Sequence, residues 1–281
     1  MCGSLRRMYR RNDKHILQWL MHRLYRGLRG ILLMLPVINF FGIPIPSYMF
    51  CAVLGFCAAL FFALQRNQHE SIKWKAYYIF IAFAVGGLFI GGKVLFFITM
   101  LPEVLTSFSL KKTIVIFVEG GIVFYGGLFG ALFFGKLSAR ISKEDPRDLL
   151  NLFIPPFVLF HAFGRVGCFM AGCCYGVECS FGFSYPQEPG VLRFPVQLVE
   201  AFGNLIIISI LLYMENRSHG KKSLTVLYLL MYATMRFLLE FLRGDSIRGI
   251  WFALSTSQWI SIITVVVILV RVYKNHRSNA S

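Results

Sequence analysis

A stretch rich in glycine and cysteine, from Phe160 to Gly176, is the part of the sequence best equipped for chemistry. It follows a long apolar run and holds one arginine, Arg165, four glycines and three of the chain's seven cysteines. Glycine at this density lets a backbone turn sharply or approach a ligand closely. An arginine at the end of an apolar segment is suited to binding an anionic headgroup through its guanidinium group.

Two other apolar segments carry polar residues beside small ones. Lys93 follows a run of glycines, and a lysine there either faces a cavity or an anion, or extends its ammonium group to the membrane interface. Tyr125 lies between two Gly-Gly pairs in the segment from Glu119 to Gly127. That segment either presents polar groups to a ligand or packs helices at small residues. We favour the ligand role, because Glu119 and Tyr125 add polarity that packing does not need.

A further apolar segment contains Tyr232, Arg236, Glu240 and Arg243 at three- or four-residue spacing, which places them on one helix face. An Arg–Glu pair at membrane depth is either structural or part of a functional site, and function is the default reading. Together with Lys93 and Arg165, these residues predict a cationic site for a phospholipid headgroup, open to the outer leaflet.

The cysteines Cys168, Cys173, Cys174 and Cys179 have the spacing C-x4-C-C-x4-C. This is not a usual zinc spacing, so we assign no metal and no cofactor. A disulfide, a metal site, a reactive thiol and inert packing all stay open at this point.

Composition identifies the class of protein. The 281 residues are 57% hydrophobic and 15% charged, whereas soluble domains carry about 25% charged residues. Long apolar runs predict an all-α, polytopic membrane protein. The expected spans are 48–64, 76–101, 113–134, 149–169, 196–214, 224–242 and 250–271. The net charge of +16 fits cytoplasmic loops and anionic lipid, and no motif indicates nucleic acid.

Positive charges predict orientation and domain limits. Thirteen Lys and Arg residues fall on one side of the expected spans and six on the other, which puts the first set and the C-terminus in the cytoplasm. Eight more in residues 1–29 contradict this, and translation from Met34 would remove them. We therefore expect a basic extension at 1–33, a membrane domain at 34–271 with an outer-face head at 170–195, and a basic tail at 272–281.

Five motifs in order, between about Leu35 and Arg271, resemble the prolipoprotein diacylglyceryl transferase family. The family signature reads Gly-Arg-x-Gly-Asn-Phe-x-Asn-x-Glu-x-x-Gly, and Gly164 to Gly176 is similar to it in frame. The other four are Ile45–Tyr48, Glu119–Gly127, Phe194–Glu200 and Arg236–Arg243. The resemblance implies a seven-span protein of the bacterial inner membrane whose first span begins outside.

The resemblance also implies a reaction, the transfer of a diacylglyceryl group from phosphatidylglycerol to the lipobox cysteine of a prelipoprotein signal peptide. A thiolate would attack the glyceryl carbon that bears the phosphate, with loss of glycerol phosphate. Arg165 and Arg236 would hold the phosphate, and Glu240 would orient Arg236. The implied catalytic residues are Tyr125, Arg165, Arg236 and Glu240, and the lipid site adds Lys93, Tyr48, Tyr232, Gly164 and Gly176.

The sequence departs from the family pattern at several polar positions. Cys168 and Cys173 replace the signature Asn and Glu, Tyr125 replaces a histidine, and Lys93 replaces an arginine. Tyrosine is a poor base at neutral pH, so Cys168 and Cys173 become candidates for a thiol role, with Cys173 suited if Arg165 lowers its pKa. His161 could act as a base, although we expect it to pack. The alternative functions are a paralogue acting on another glycerophospholipid or acceptor, a redox protein and a silent lipid-binding protein.

Overall fold

The computed structural model describes residues 35–70, 72–106, 121, 123–185, 188–218, 223–244, 250–252 and 254–278. Within them lie seven helices and three two-stranded hairpins. In chain order the elements are β1 Val37–Phe40, β2 Ile43–Pro46, α1 Ser47–Glu70, α2 Trp74–Thr106, α3 Phe124–Ser142, α4 Pro146–Met170, β3 Glu178–Tyr185, β4 Glu188–Arg193, α5 Val196–Ser218, α6 Leu224–Glu240, β5 Ile250–Trp251, β6 Leu254–Ser255 and α7 Thr256–Ser278.

Five of these helices are long and apolar enough to cross a membrane. The candidate spans are Ser47–Gln68, Trp74–Leu101, Pro146–Met170, Val196–Arg217 and Thr256–Lys274. Helices α3 and α6, with 19 and 17 residues, are the other two segments for which spans were expected. The prediction of an all-α membrane protein therefore holds at this coarser level.

Several predicted boundaries were wrong. The predicted loop at 135–148 is largely helical, since α3 continues to Ser142 and α4 begins at Pro146. Asp145 caps α4 through its Oδ1 atom, which accepts a hydrogen bond from the Arg147 N–H at 2.7 Å. The last predicted span began at 250, yet residues 250–255 hold the short β5–β6 hairpin. The described part of the third span begins at Phe124, and Lys111, Lys112, Glu119 and Gly120 lie outside the described residues.

Each of the three described hairpins precedes a helix, namely α1, α5 and α7. Strands β1 and β2 pair antiparallel with Phe40 opposite Ile43, so the turn is Phe41–Gly42. Both turn residues have positive φ, 49° and 83°, the geometry of a type I′ turn. Ser47, the first residue of α1, donates its backbone N–H and its hydroxyl to the Pro36 carbonyl. These bonds fix the start of α1 beneath the hairpin.

Helices α2 and α3 pack through glycine. A Cβ atom on Gly87 would lie 2.5 Å from the Gly130 carbonyl oxygen, and one on Gly91 or Gly126 would clash with backbone of the other glycine. Small residues four apart on both helices allow this close crossing. Gly126 of the Tyr125 segment therefore has the packing role that was the alternative for this segment.

The chain divides into two compact units. The first contains Met1–Ala58, Leu159–Ile206 and Thr234–Gln258, and the second contains Ala59–Val158, Ile207–Ala233 and Trp259–Ser281. In the second unit, Phe80, Ala139, Leu149 and Leu150 form a buried apolar cluster. In the first unit, the β3–β4 hairpin and the end of α4 share a cluster around Phe169 and Tyr185. The segment 170–195 is thus built on a β-hairpin.

Candidate functional site

The first unit contains a buried charged group centred on Glu200 of α5. Arg165 of α4 places its Nη2 atom 3.0 Å from the Glu200 carboxylate. His161, one turn earlier on α4, has its Nε2 atom 3.4 Å from Arg165 Nε, which donates to it, and 3.7 Å from Glu200. A nitrogen that accepts a hydrogen bond carries no proton, so the ring is neutral in this arrangement. His161 thus contacts both members of the Arg165–Glu200 pair, and its role stays a prediction.

A second ion pair lies on α6 in the same unit. Arg236 and Glu240, spaced one helical turn apart, meet at 2.6 Å, and both side chains are buried. Arg236 Nη2 also donates to the hydroxyl of Ser257 at 3.3 Å. The predicted contact between Glu240 and Arg236 is confirmed. Because the Arg236 guanidinium binds both a carboxylate and a hydroxyl, it is held in one orientation.

Ser257 reaches Arg236 because α7 begins with a capping box. The Ser255 N–H donates to Gln258 Oε1 at 2.9 Å, and the Gln258 N–H donates to Ser255 Oγ at 3.2 Å. This reciprocal pair is the S-x-x-Q pattern of helix N-termini. Sequence reasoning missed it, although Ser255-Thr-Ser-Gln258 carries the signal.

The acidic centre of the site was also missed. Gln197, Glu200 and Asn204 are 1%, 0% and 0% exposed and share one face of α5 at three- and four-residue spacing. A polar stripe on an apolar helix at this depth is a functional signal. The sequence analysis used Glu200 only as part of a motif and gave it no role.

Several cationic side chains surround this centre among the described residues. Glu200 interacts electrostatically with three arginines, Arg165, Arg236 and Arg243, and with His161. Guanidinium groups bind phosphate oxygens in two-pronged fashion, so this cluster of arginines is suited to an anionic ligand.

The loop after α4 brings three thiols next to this charged group. The Sγ atoms of Cys168, Cys173 and Cys174 all lie within 4.8 Å of one another. The chain folds back through Gly172, at φ 75°, and Cys174, at φ 60°. The Cys173 N–H donates to the Cys168 carbonyl at 3.0 Å, which closes the turn.

The charge environment separates the two adjacent cysteines. Hydrogen bonds from Cys168 and Cys173, together with the positive charges of Arg243 and Arg165, lower the pKa of Cys174. Hydrogen bonding with Cys168 and Cys174, together with burial, raises the pKa of Cys173. A Cys173 pKa lowered beside Arg165, the condition set for a thiol role of Cys173, is therefore not found.

The other predicted lipid-site residues of the first unit are Tyr48, Gly164 and Gly176. Tyr48, the second residue of α1, is 48% exposed and interacts with Arg165 and Cys168. Gly164 has open space where a Cβ would be, whereas a Cβ on Gly176 would lie 2.6 Å from the Phe194 carbonyl. Gly176 thus permits the close approach that holds the loop.

Three predicted site residues belong to the second unit. The Tyr125 hydroxyl shares a hydrogen bond of 2.5 Å with Ser261, and its ring meets that of Tyr232 at 6.0 Å. Both tyrosines are buried, at 3% and 1% exposure. Lys93 is half-buried within α2, which continues to Thr106. Its candidate span ends at Leu101, as predicted, so Lys93 lies about two turns from the end of the span.

Comparison with known proteins identifies the family. The sequence profile described as prolipoprotein diacylglyceryl transferase matches residues 36–274. The chain belongs to this family. It is 34% identical to phosphatidylglycerol–prolipoprotein diacylglyceryl transferase 2 of Clostridium perfringens, over 80% of this chain and 89% of that protein. It is 28% identical to the transferase of Clostridium tetani, over 83% and 95%, and 30% identical to that of Chlorobaculum tepidum, over 72% and 75%.

Membership of the diacylglyceryl transferase family confirms the resemblance drawn from the five motifs. It also makes this chain a transferase by family. The motif residues Arg165, Glu200, Arg236 and Glu240 meet in one unit, although they lie on three helices. The individual roles of these residues stay predictions.

Proposed function

We propose that this protein transfers the diacylglyceryl group of phosphatidylglycerol to the thiol of a prelipoprotein's lipobox cysteine. The observation that carries the proposal is the cluster of three arginines around Glu200, in a chain whose relatives are named for this reaction. An anionic phospholipid headgroup is the ligand that a buried, cation-rich site beside membrane-spanning helices would bind.

The reaction needs a nucleophile and a stabilised leaving group. The acceptor thiol loses its proton, and its sulfur forms a C–S bond to the glyceryl carbon that bears the phosphate. The C–O bond to phosphate breaks, and glycerol phosphate leaves with the bonding electron pair. Arg165 and Arg236 stabilise the charge that develops on the phosphate oxygens. Glu200 and Glu240 hold the two guanidinium groups in position before the lipid arrives.

The proposal includes the membrane arrangement. We place the protein in the bacterial inner membrane with seven spans, in which α3 and α6 join the five helices that qualify by length and composition. The segment 170–195 forms a head on the outer face, and the basic tail at 272–281 is cytoplasmic, as the distribution of Lys and Arg favours. The membrane domain covers 34–271. Labelling of single introduced cysteines with an impermeant thiol reagent in intact cells tests this orientation.

The reaction is tested with the purified protein. Labelled phosphatidylglycerol and a lipobox peptide are incubated with wild type, Arg165→Ala and Arg217→Ala. Arg217 is a matched control, because its guanidinium lies over the exposed Tyr213 ring and belongs to the other unit. Thioether formation by wild type and Arg217→Ala, lost in Arg165→Ala, is the expected result. A folded wild type that binds phosphatidylglycerol and modifies no lipobox peptide contradicts the proposal.

A further inference from the structure

The three-cysteine loop holds a separate chemical possibility. We propose that Cys168, Cys173 and Cys174 form a three-thiolate site for a thiophilic metal cation, Zn²⁺, with its fourth coordination position open to the acceptor thiol. The metal site stands on the geometry of the loop alone. The role of the fourth position rests on the proposed function.

The geometry of the three sulfurs fits a tetrahedral ion. A Zn–S distance of about 2.3 Å in tetrahedral geometry places neighbouring sulfurs about 3.8 Å apart. The three Sγ atoms lie within 4.8 Å of one another, so a movement of about 1 Å at the thiols closes the site. A disulfide would use two of these thiols and leave the third without a function, whereas a metal uses all three.

The backbone fixes the sulfurs before any ion arrives. Gln197 Nε2 donates to the Cys173 carbonyl at 2.6 Å, and the Gly176 N–H donates to the Phe194 carbonyl at 2.8 Å. Cys174 adopts the left-handed backbone at φ 60°, a conformation that costs energy for a residue with a side chain. The loop is therefore held in a strained form that turns Cys174 toward the other two thiols.

The surrounding charges match those of such a site. Three thiolates with one Zn²⁺ carry one negative charge, and a fourth thiolate brings this to two. The guanidinium groups of Arg165 and Arg243 interact with Cys174 and favour this negative charge. Cys173 is exposed while Cys168 and Cys174 are half-buried, so one side of the site is accessible. Cys179 points elsewhere, because its thiol contacts the Phe181 carbonyl.

A metal at this site would supply a way to deprotonate the acceptor thiol, for which the altered signature has no carboxylate. Cys168 and Cys173 stand where the family signature has Asn and Glu, so a carboxylate is absent from the position that Cys173 fills. A metal lowers the pKa of a coordinating thiol enough to deprotonate it. The acceptor thiol would release its proton to solvent on binding, and the metal-bound sulfur would then attack the glyceryl carbon as described above.

The metal site is tested by cobalt substitution. The full chain is purified in detergent with reductant, stripped with a chelator and titrated with Co²⁺. Thiolate-to-cobalt charge-transfer absorption at one ion per chain, displaced by Zn²⁺, is expected. It is lost in Cys168→Ala, Cys173→Ala and Cys174→Ala and kept in Cys179→Ala and Cys57→Ala, the matched thiol controls. No such absorption in folded wild type, or equal absorption in Cys174→Ala, overturns the site.

Two further measurements separate this inference from its alternatives. A disulfide between two of the three cysteines, found by mass mapping after thiols are blocked at cell lysis, also overturns it. A lipobox peptide with cysteine should shift the cobalt absorption, and the same peptide with serine should not. No shift overturns the acceptor role. Transfer by a protein that binds no cobalt contradicts the metal site and leaves the proposed function intact. Cobalt binding without any transfer contradicts the proposed function and leaves the metal site intact.

Discussion

Each unit of the molecule contains an arginine paired with a carboxylate, and the two pairs are built differently. In the second unit, Arg66 donates from Nη1 and Nη2 to both oxygens of Glu215 at 2.8 Å. It also donates to the Leu152 and Asn151 carbonyls at 3.0 and 3.1 Å. In the first unit, Arg165 contacts Glu200 and His161, which are side chains on two helices.

The difference separates a structural pair from a candidate binding site. Arg66 and Glu215 balance each other one to one, and the backbone carbonyls occupy further donors of Arg66, so this pair joins α1, α4 and α5. Around Glu200, among the described residues, three guanidinium groups lie close enough to interact with one carboxylate. Such a cluster of guanidinium groups favours an anionic ligand in the first unit.

The largest expected effect is on transfer by Arg165→Ala. Loss of one charged donor to the leaving phosphate should lower the transfer rate about 10²–10³-fold. The melting temperature should change little, because Arg236 and Arg243 still compensate Glu200. Rates measured with labelled phosphatidylglycerol, beside thermal unfolding of the same samples, check both parts. A large loss of melting temperature with normal transfer would make Arg165 structural like Arg66.

Arg66→Ala should show the opposite pattern. It removes both hydrogen bonds to Glu215 and the donors to two carbonyls. The free energy of unfolding should therefore fall by about 3 kcal/mol, near the low end for buried pairs because both side chains retain some exposure. Transfer per folded molecule should match that of wild type. Thermal unfolding in detergent and transfer rates normalised to folded protein test this. Lost transfer in a folded Arg66→Ala protein would contradict the distinction between the two pairs.

Tyr125→Phe separates packing from chemistry in the second unit. It removes the hydroxyl bound to Ser261 and should cost about 1 kcal/mol of stability, the usual net value of a hydrogen bond. Transfer should stay within about threefold of wild type. A fall of tenfold or more at unchanged melting temperature would restore the catalytic role predicted for Tyr125. Ser261→Ala is the matched control, since it removes the other partner of the same bond.

The smallest expected effect concerns pH. Because the pKa of Cys174 is lowered, its reactive thiolate persists below the usual thiol range and disappears only as the pH falls through that lowered value. Arg243→Gln removes a positive charge beside it and should move this loss about one pH unit upward. Alkylation rates at Cys174, mapped by mass spectrometry across pH, measure the shift. Identical profiles in wild type and Arg243→Gln would exclude Arg243 as the cause.

The sequence by itself determined the features that depend on local spacing. Apolar runs predicted the helices because a span needs about 20 apolar residues. The Arg236–Glu240 contact followed from one-turn spacing, and the glycine-rich runs marked helix faces able to pack closely. Each of these depends on helical periodicity within one or two segments, which a sequence shows directly.

Tertiary structure decided the partners that lie far apart in the chain. Glu200 meets Arg165 across 35 positions, and Tyr125 meets Ser261 across 136, because helix packing rather than spacing selects such contacts. The apolar residues 250–255 became a hairpin, since hydropathy does not distinguish a short strand from the start of a span. The turn at Gly172 and Cys174 brought three sulfurs together where the C-x4-C-C spacing had left a disulfide, a metal site, a reactive thiol and packing all open. Backbone direction within a loop is set by the contacts that hold it, and spacing does not show these contacts.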